Sequence, residues 1–288
     1  MRTGTREQNL RSGPHLGPTY PRLVGTMVLA AGLLAPLLIS AQGPSPTAAY
    51  RAPRTKDGKP NINGVWQALN EANWDLEGHG ATPGPYWQLG AEFAVPPSLG
   101  VVEGGAIPYK PEALQKKKAN FADRMHLDPE VKCYLPGVPR AMYMPYPFQI
   151  IQSTEYTMMA FEYAGALRTI YMNKQQAPAD SWMGWSNGRW EGETLVIETT
   201  DFNDQAWFDR AGNFHSEALR VVERLTPASP DHLNYEATIE DPNVFTRPWK
   251  ISMPLYRRVE RNAQVLEFKC VEFAEDVIYG ALRKVPLK

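Results

Sequence analysis

Apolar and polar residues alternate along most of the C-terminal half of the chain. In residues 233–240, Leu233, Tyr235, Ala237 and Ile239 take every second position, and polar residues lie between them. Because successive side chains of a β-strand point to opposite faces, this pattern predicts a half-buried antiparallel strand. The same period of two predicts further short strands over residues 150–151, 157–163, 168–172, 194–200, 218–226, 249–256 and 265–273.

The spacing of these strands predicts the fold class. Eight or more strands follow one another at intervals of roughly 10 residues. No strand alternates with a helix as in a parallel α/β sheet. The chain also has 26 prolines and 22 glycines, which favour many turns. We therefore expect a mainly β protein, an antiparallel meander that closes into a barrel or sandwich.

Residues 182–202 lie in the middle of this meander and contain three of the chain's eight tryptophans. Asn187-Gly188 predicts a hairpin turn, since both central residues of a type I′ turn need positive φ. Glu191-Gly192-Glu193 predicts a second turn. Residues 184–188 also match G-x-S-x-G, but the nucleophile elbow of α/β-hydrolases needs a strand before it and a helix after it. We therefore interpret Ser186 as a turn residue.

Three segments interrupt the β pattern. Residues 110–126 are predicted to form one helix, with Pro111 in its first turn and Leu114, Phe121 and Met125 on one face. Residues 128–147 contain prolines throughout and cannot form a regular element. We expect this long proline-rich connector to lie across the barrel surface or mouth. Residues 70–108 are predicted to be irregular because they are rich in glycine and proline.

The N-terminal residues predict export. Four arginines precede an apolar run at residues 23–39, and the small residue Ala41 follows shortly after it. This order predicts a secretory signal peptide over residues 1–41, with an uncleaved membrane anchor as the alternative. Residues 42–60 are then a linker, and residues 61–288 a single barrel domain that includes the helix 110–126. The protein is expected to be periplasmic or secreted, and to contact a membrane only if the segment stays uncleaved.

Composition narrows the expected partners. The 30 basic and 31 acidic residues nearly balance and form no basic stripe, so nucleic acid is not an expected partner. The spacing of histidines and cysteines matches no metal motif, and we expect neither a metal nor a cofactor. Cys133 and Cys270 form either one disulfide in an oxidising compartment or two buried thiols. The sequence leaves this choice and the oligomeric state open.

Carboxylates on apolar strand faces are the sharpest chemical feature. Glu223 shares a face with the apolar positions 219, 221 and 225, and Glu162 shares one with positions 158 and 160. A carboxylate that points into a barrel must be paired, neutralised or hydrated. Arg168, Arg220 and Arg224 are candidate partners. Each inward carboxylate then has two interpretations: it belongs to a structural ion pair, or it is a polar group that holds a ligand.

His215 is a candidate general base, because an imidazole in a loop at a barrel mouth titrates near neutral pH. Glu223 or Glu162 would then be the acid, and Arg140 or Arg168 would hold an anionic group. The alternative is a loop histidine with ordinary turn hydrogen bonds. An aromatic pocket around such polar anchors is typical of small-molecule sites. Its candidate ligand-binding aromatic residues are Tyr171, Trp185, Trp190, Tyr235 and Trp249.

Several motifs together resemble an uncharacterised family of exported bacterial proteins. They are Gly64-Val65-Trp66, PGVPR at 136–140, PFQI at 147–150, WEGETLV at 190–196, FHS at 214–216, TIEDP at 238–242 and FTRPW at 245–249. Family members often carry Cys-His-Glu near the C-terminus, where this chain has Cys270-Val271-Glu272. The family implies no activity. Gly64-x-Trp66 also resembles the opening of the first strand in lipocalins and wider calycins, where the tryptophan closes one barrel end. This resemblance implies a lipocalin-like barrel.

Three functions fit these features. The first is an exported barrel that binds a small apolar or aromatic molecule. The second is a barrel enzyme, a hydrolase, isomerase or lyase, with a histidine and glutamate acid–base site. The third is a structural envelope protein with a filled barrel and no site. Convergence of Glu223, Glu162 and Arg168 in an open cavity near His215 would favour the enzyme.

Overall fold

Nine strands form one closed barrel in the computed structural model, which describes residues 50–282 except 85, 87–88 and 90–93. Each strand pairs with its neighbours in the sequence, and the last strand pairs with the first. The predicted mainly β barrel of lipocalin-like type is therefore confirmed. The predicted signal peptide lies outside the described residues. Within the described ranges, no helix has the length and apolar character needed to cross a membrane.

The strands are β1 Gly64–Ala68, β2 Phe148–Gln152, β3 Tyr156–Phe161, β4 Leu167–Tyr171, β5 Trp185–Glu191, β6 Thr194–Thr200, β7 Arg220–Ser229, β8 His232–Glu240 and β9 Trp249–Arg257. The α-helices are α1 Pro111–Ala122, α2 Arg124–Leu127 and α3 Ala274–Tyr279. Short 3₁₀ turns occupy Pro129–Lys132, Arg140–Tyr143, Tyr163–Gly165 and Gly280–Leu282.

The predicted alternation matches the burial of the long strands. Leu233, Tyr235, Ala237 and Ile239 of β8 are at most 1% exposed, and the residues between them are half-buried or exposed. Strands β7 and β9 repeat this pattern on either side. Most inward apolar side chains of these strands belong to one buried cluster that fills the barrel. The interior is therefore largely occupied by the protein's own residues.

Trp66 and Arg257 close one end of the barrel. The Trp66 ring is 1% exposed, its Nε1 donates to the Ile62 carbonyl oxygen at 3.0 Å, and the Arg257 guanidinium lies 4.2 Å above the ring centroid. Arg257 reaches this position across Gly64, where any Cβ would collide with its guanidinium. The Gly-x-Trp motif thus combines a close approach at the glycine with a cation–π contact at the tryptophan.

The predicted hairpin turn at Asn187-Gly188 is wrong. Both residues lie inside β5, paired with Glu198 and Ile197 of β6, and the turn comes at Gly192. A Cβ at Gly188 would collide with Ile170 and approach the Met172 sulfur, so the glycine serves close packing between strands rather than a turn. One further departure is that β4 and β5 pair in parallel. The irregular crossover 172–184 makes this pairing possible.

One further strand prediction is wrong, and the helix prediction is wrong in part. Residues 265–273 form no strand, because β9 already pairs with β1 and the closed barrel has no free edge there. The helix predicted over 110–126 forms as α1 and α2, but its buried side differs from the predicted one. Ala113 and Asn120 are buried, whereas Leu114 and Phe121 are 36% and 47% exposed.

Candidate functional site

A buried polar network crosses the barrel interior between Arg168 and Glu223. Arg168 is 3% exposed and Glu223 is fully buried. The Arg168 guanidinium forms a two-point ion pair with the carboxylate, with Nη1 donating to Oε1 at 3.1 Å and Nη2 donating to Oε2. Of the arginines proposed from the sequence as partners of Glu223, Arg168 therefore fills that role. Arg220 and Arg224 lie on the outer face of β7, where they pair with other carboxylates.

Three further side chains complete this interior network. Arg168 Nε donates to Ser186 Oγ at 2.9 Å, and Arg168 Nη2 donates to Thr199 Oγ1 at 2.8 Å. The Tyr235 hydroxyl donates to Glu223 Oε1 at 2.9 Å. Burial beside Glu223 raises the pKa of Tyr235 well above its ordinary value, so Tyr235 stays a donor. The network satisfies its charged members with protein groups, and Ser186 is a buried strand residue rather than a turn residue.

Glu162 lies apart from this network. It follows β3 on the outward face shared with Met158 and Ala160, both of which are half-buried, whereas Thr157, Met159 and Phe161 point inward. The carboxylate Oε2 accepts a hydrogen bond from the Leu266 backbone N–H at 2.9 Å. The expectation that Glu162 points into the barrel is wrong, because the inward face of β3 is the other one.

His215 is buried against Phe202 and Phe208 in the loop before β7, with ring centroids 5.7 Å and 5.4 Å away. Its Nδ1 lies 2.9 Å from the Ser216 carbonyl oxygen. Since a carbonyl can only accept, Nδ1 carries the proton and Nε2 carries the lone pair. Burial lowers the pKa of His215, against the opposing effect of the Ser216 hydrogen bond and of the carboxylates of Asp241 and Asp204. His215 is thus a neutral imidazole at neutral pH.

Trp249, a predicted ligand-binding residue, packs on the same Phe208 ring as His215, with centroids 5.8 Å apart. Both His215 Nε2 and Trp249 Nε1 are buried without a hydrogen-bond partner among the described residues. Glu223 is held by Arg168 and Tyr235, and Glu162 faces outward. The three residues predicted to be catalytic therefore occupy three different surroundings.

The other predicted ligand-binding residues do not form one site and lie in different parts of the structure. Tyr171 and Trp185 stack 4.7 Å apart, while their neighbours Ile170 and Ser186 are buried. Trp190 packs half-buried against the core. Arg140 is 1% exposed and donates to Asp128, Glu130 and Asn73 at 2.6–3.1 Å. The ligand-binding roles of these residues stay predictions, but the contacts of Arg140 are structural.

A surface cleft of about 260 Å³ lies where the proline-rich connector meets the C-terminal segment. We call it the C-terminal cleft. Its main lining residues are Glu130, Tyr146, Tyr163, Arg210, Phe268 and Cys270. Phe268 contacts both tyrosines, with centroid distances of 5.2 Å and 5.1 Å, and the two tyrosine rings are 5.9 Å apart. The cleft therefore has a continuous aromatic wall.

An ion pair borders this aromatic wall. Arg210 Nε and Nη2 donate to the two carboxylate oxygens of Glu130 at 2.7 Å and 2.6 Å, and Arg140 donates to the same carboxylate. Burial opposes ionisation of Glu130, but the two guanidinium groups outweigh it and lower its pKa to about 2. Glu130 is therefore ionised across the physiological pH range, and it fixes Arg210 at the cleft.

A disulfide closes the cleft at one side. Cys133 in the connector is joined to Cys270 in the C-terminal segment, with Cα atoms 5.7 Å apart. The backbone N–H of Phe273 donates to the Val131 carbonyl oxygen at 2.8 Å nearby. Sequence reasoning missed the cleft because its lining residues come from segments far apart in the chain, as the separation of 137 positions between Cys133 and Cys270 shows. The disulfide option was the signal that could have found them, since it places the two segments in contact.

Removing Arg168 should destabilise the barrel. Arg168→Met leaves Glu223 buried without its cation, which costs about 3–5 kcal/mol of unfolding free energy. The double variant Arg168→Met/Glu223→Leu should recover most of this loss, because no buried charge then remains. Urea unfolding measures both. Arg220→Met on the outer face is the matched control, with an expected loss of about 1 kcal/mol or less. Equal losses for the two arginines would contradict this role.

His215 should make stability depend on pH. Its pKa is lowered from the ordinary 6.5 in the folded state. The unfolded chain therefore binds a proton first as pH falls, and this linkage favours unfolding. The free energy of unfolding should fall between about pH 7 and pH 5, and His215→Phe should reduce that slope. Urea titrations across this range test it. A slope unchanged by the substitution would assign the pH dependence to other groups.

Comparison of the chain with protein-family models, curated proteins and solved structures found no match. The resemblance to an exported bacterial family thus stays a prediction. What the geometry supports is a closed β-barrel, filled by apolar side chains around one polar network, with an aromatic cleft outside it.

Proposed function

We propose that this chain is an exported β-barrel protein that binds a small apolar or aromatic molecule in the C-terminal cleft. The observation that carries the proposal is the wall formed by Tyr146, Tyr163 and Phe268 in a cleft of about 260 Å³. Small-molecule sites are typically concave and aromatic with a few placed polar groups. Arg210 and Glu130 are such groups here.

The barrel interior is a poorer place for the ligand. Inward positions of the strands are filled by apolar side chains, and the Arg168–Glu223 pair has its partners within the protein. A ligand there would have to displace packed residues and break charged hydrogen bonds, which is costly. In the cleft a flat apolar ligand covers the half-buried rings of Tyr146 and Phe268, which water otherwise contacts.

Two alternatives, an acid–base enzyme and a structural envelope protein, have less support than this proposal. An acid–base enzyme built on His215, Glu223 and Glu162 loses support because the three groups occupy different surroundings. A structural envelope protein would share the filled barrel. It would not need an aromatic cleft beside a fixed ion pair, so the cleft favours binding.

The full chain expressed in a bacterium should test export and binding together. We expect the protein in the periplasmic fraction, with a mass that lacks about the first 41 residues by the signal-peptide rule. Native mass spectrometry of this material should show an added small mass that is lost on denaturation. Recovery of the intact chain in the cytoplasm would contradict export. A periplasmic protein without an added mass would count against a tightly held ligand.

Phe268→Ala locates the ligand. The neutral aromatic probe N-phenyl-1-naphthylamine should bind the native protein with fluorescence enhancement, and the variant should weaken it by about tenfold, or ~1.4 kcal/mol. Tyr156→Ala, which removes a 42% exposed ring at the start of β3, is the matched control and should bind as the native protein does. Equal probe affinity in the two variants would exclude the C-terminal cleft.

Breaking the disulfide should weaken the same binding. Cys270 and Phe268 lie on one segment, so Cys133→Ser/Cys270→Ser frees the wall that carries Phe268. Without the disulfide this wall is mobile in the free protein and must become ordered when the probe binds. We therefore expect probe affinity to fall about tenfold. Both cysteines lie outside the barrel strands, so near-ultraviolet circular dichroism should still report a folded core. Unchanged affinity would show that other contacts hold the wall.

A further inference from the structure

The turn Pro129–Lys132 borders a second cleft. Glu130 and Val131 line the C-terminal cleft, whereas Pro129 and Lys132 line another cavity, of about 210 Å³. We call the latter the tryptophan cleft. Its main lining residues are Lys132, Tyr134, Trp182, Asp204, Gln205 and Trp207. None of these six lines the C-terminal cleft.

Three aromatic rings line the tryptophan cleft, and two of them reach solvent. Tyr134 is 47% exposed, and its ring centroid lies 5.0 Å from that of the half-buried Trp182. Trp207 is nearly buried and contributes to the floor. Large aromatic rings held at the surface of a cleft carry a negative π face that attracts polarised C–H groups. The rings therefore suit a ligand that presents a face of C–H bonds.

The polar part of the cleft carries both hydrogen-bond donors and acceptors. Asp204 and Gln205 are exposed, and Gln205 Nε2 donates to Asp204 Oδ1 at 2.6 Å. This contact orients the amide and the carboxylate as one polar unit. Asp204 retains further acceptor capacity, and the half-buried Lys132 is a donor. A ligand with several hydroxyl groups can donate to the carboxylate and accept from the ammonium.

The combination excludes simpler ligand classes. An entirely apolar ligand would remove Asp204, Gln205 and Lys132 from water without replacing their hydrogen bonds, which is unfavourable. An anion would meet the carboxylate, and a cation would meet the ammonium. A neutral molecule with an apolar face and a hydroxylated edge satisfies both parts of the cleft. A cavity of about 210 Å³ is below the roughly 300–1,000 Å³ of drug-sized sites, which limits the bound part to one ring.

We propose that the tryptophan cleft binds a neutral pyranose ring, whose C–H face stacks on Trp182 and Tyr134 and whose hydroxyls bond Asp204, Gln205 and Lys132. This site is separate from the one in the proposed function and takes a different class of ligand. A saccharide bound here leaves the aromatic wall of the C-terminal cleft uncovered, so either site can be tested without the other.

Saturation-transfer NMR on the full mature protein tests the proposal. The probes are methyl β-D-glucopyranoside, methyl β-D-galactopyranoside and N-acetyl-D-glucosamine, each alone. At least one should receive saturation at its ring C–H protons and bind with a Kd on the order of 1 mM, typical of weak binding at a small open site. Acyclic D-glucitol has the hydroxyls without the ring face and should not bind. Binding of D-glucitol equal to that of the pyranosides would overturn the stacking argument.

Trp182→Ala and Tyr134→Ala locate the site, and each should weaken saccharide binding by tenfold or more. Tyr134 is half-exposed, so its variant should fold even if Trp182→Ala does not. Tyr156→Ala is the control and should bind as the native protein does. Affinity should not change with added salt, because the ligand is neutral. Absence of transfer to all three pyranosides, or unchanged binding in Tyr134→Ala, would overturn the proposal.

Discussion

The register of the barrel strands depends on the buried ion pair between Arg168 and Glu223. Its network takes one side chain from each of five consecutive strands: Arg168 from β4, Ser186 from β5, Thr199 from β6, Glu223 from β7 and Tyr235 from β8. A shift of any of these strands by one residue would turn its polar member outward and leave a buried charge or donor without its partner. The network thus specifies register, including that of the parallel pair β4–β5.

This constraint also decides where a ligand can bind. The barrel interior is filled by packed side chains and by one ion-pair network whose members already have partners. It therefore has little room for a ligand. Both clefts instead border the turn Pro129–Lys132 and are lined mainly by segments that lie outside the barrel strands. The disulfide Cys133–Cys270 and the hydrogen bond from Phe273 to Val131 hold the connector and the C-terminal segment together at the C-terminal cleft. The barrel is therefore a scaffold, and its irregular additions carry the candidate sites.

Local patterns were sufficient for many elements and misleading at particular positions. Residues 233–240 could be predicted because each second residue is apolar, and Glu223 could be placed inward by the same rule. Asn187-Gly188 was misread, because a glycine selected for close approach to Ile170 looks identical in sequence to a turn glycine. Residues 265–273 were misread as a strand, because alternation predicts an extended chain and says nothing of whether a sheet edge is available. Glu162 shares a face with Met158 and Ala160 as predicted, but alternation alone does not say which face of a strand points inward, and in β3 it is the face of Thr157, Met159 and Phe161.

What the sequence determined by itself is the series of short strands, because alternation and turn residues act over short distances along the chain, while the barrel was implied only by the Gly-x-Trp resemblance. It also limited Glu223 to a paired, neutralised or hydrated state, since a carboxylate among apolar neighbours is costly without one of these. Only the tertiary structure decided which arginine pairs with it, and that Tyr146, Tyr163, Arg210 and Phe268 meet at one cleft. The physical reason is that these contacts join residues far apart in the chain, and their formation depends on closure of the barrel and on the disulfide rather than on any local pattern.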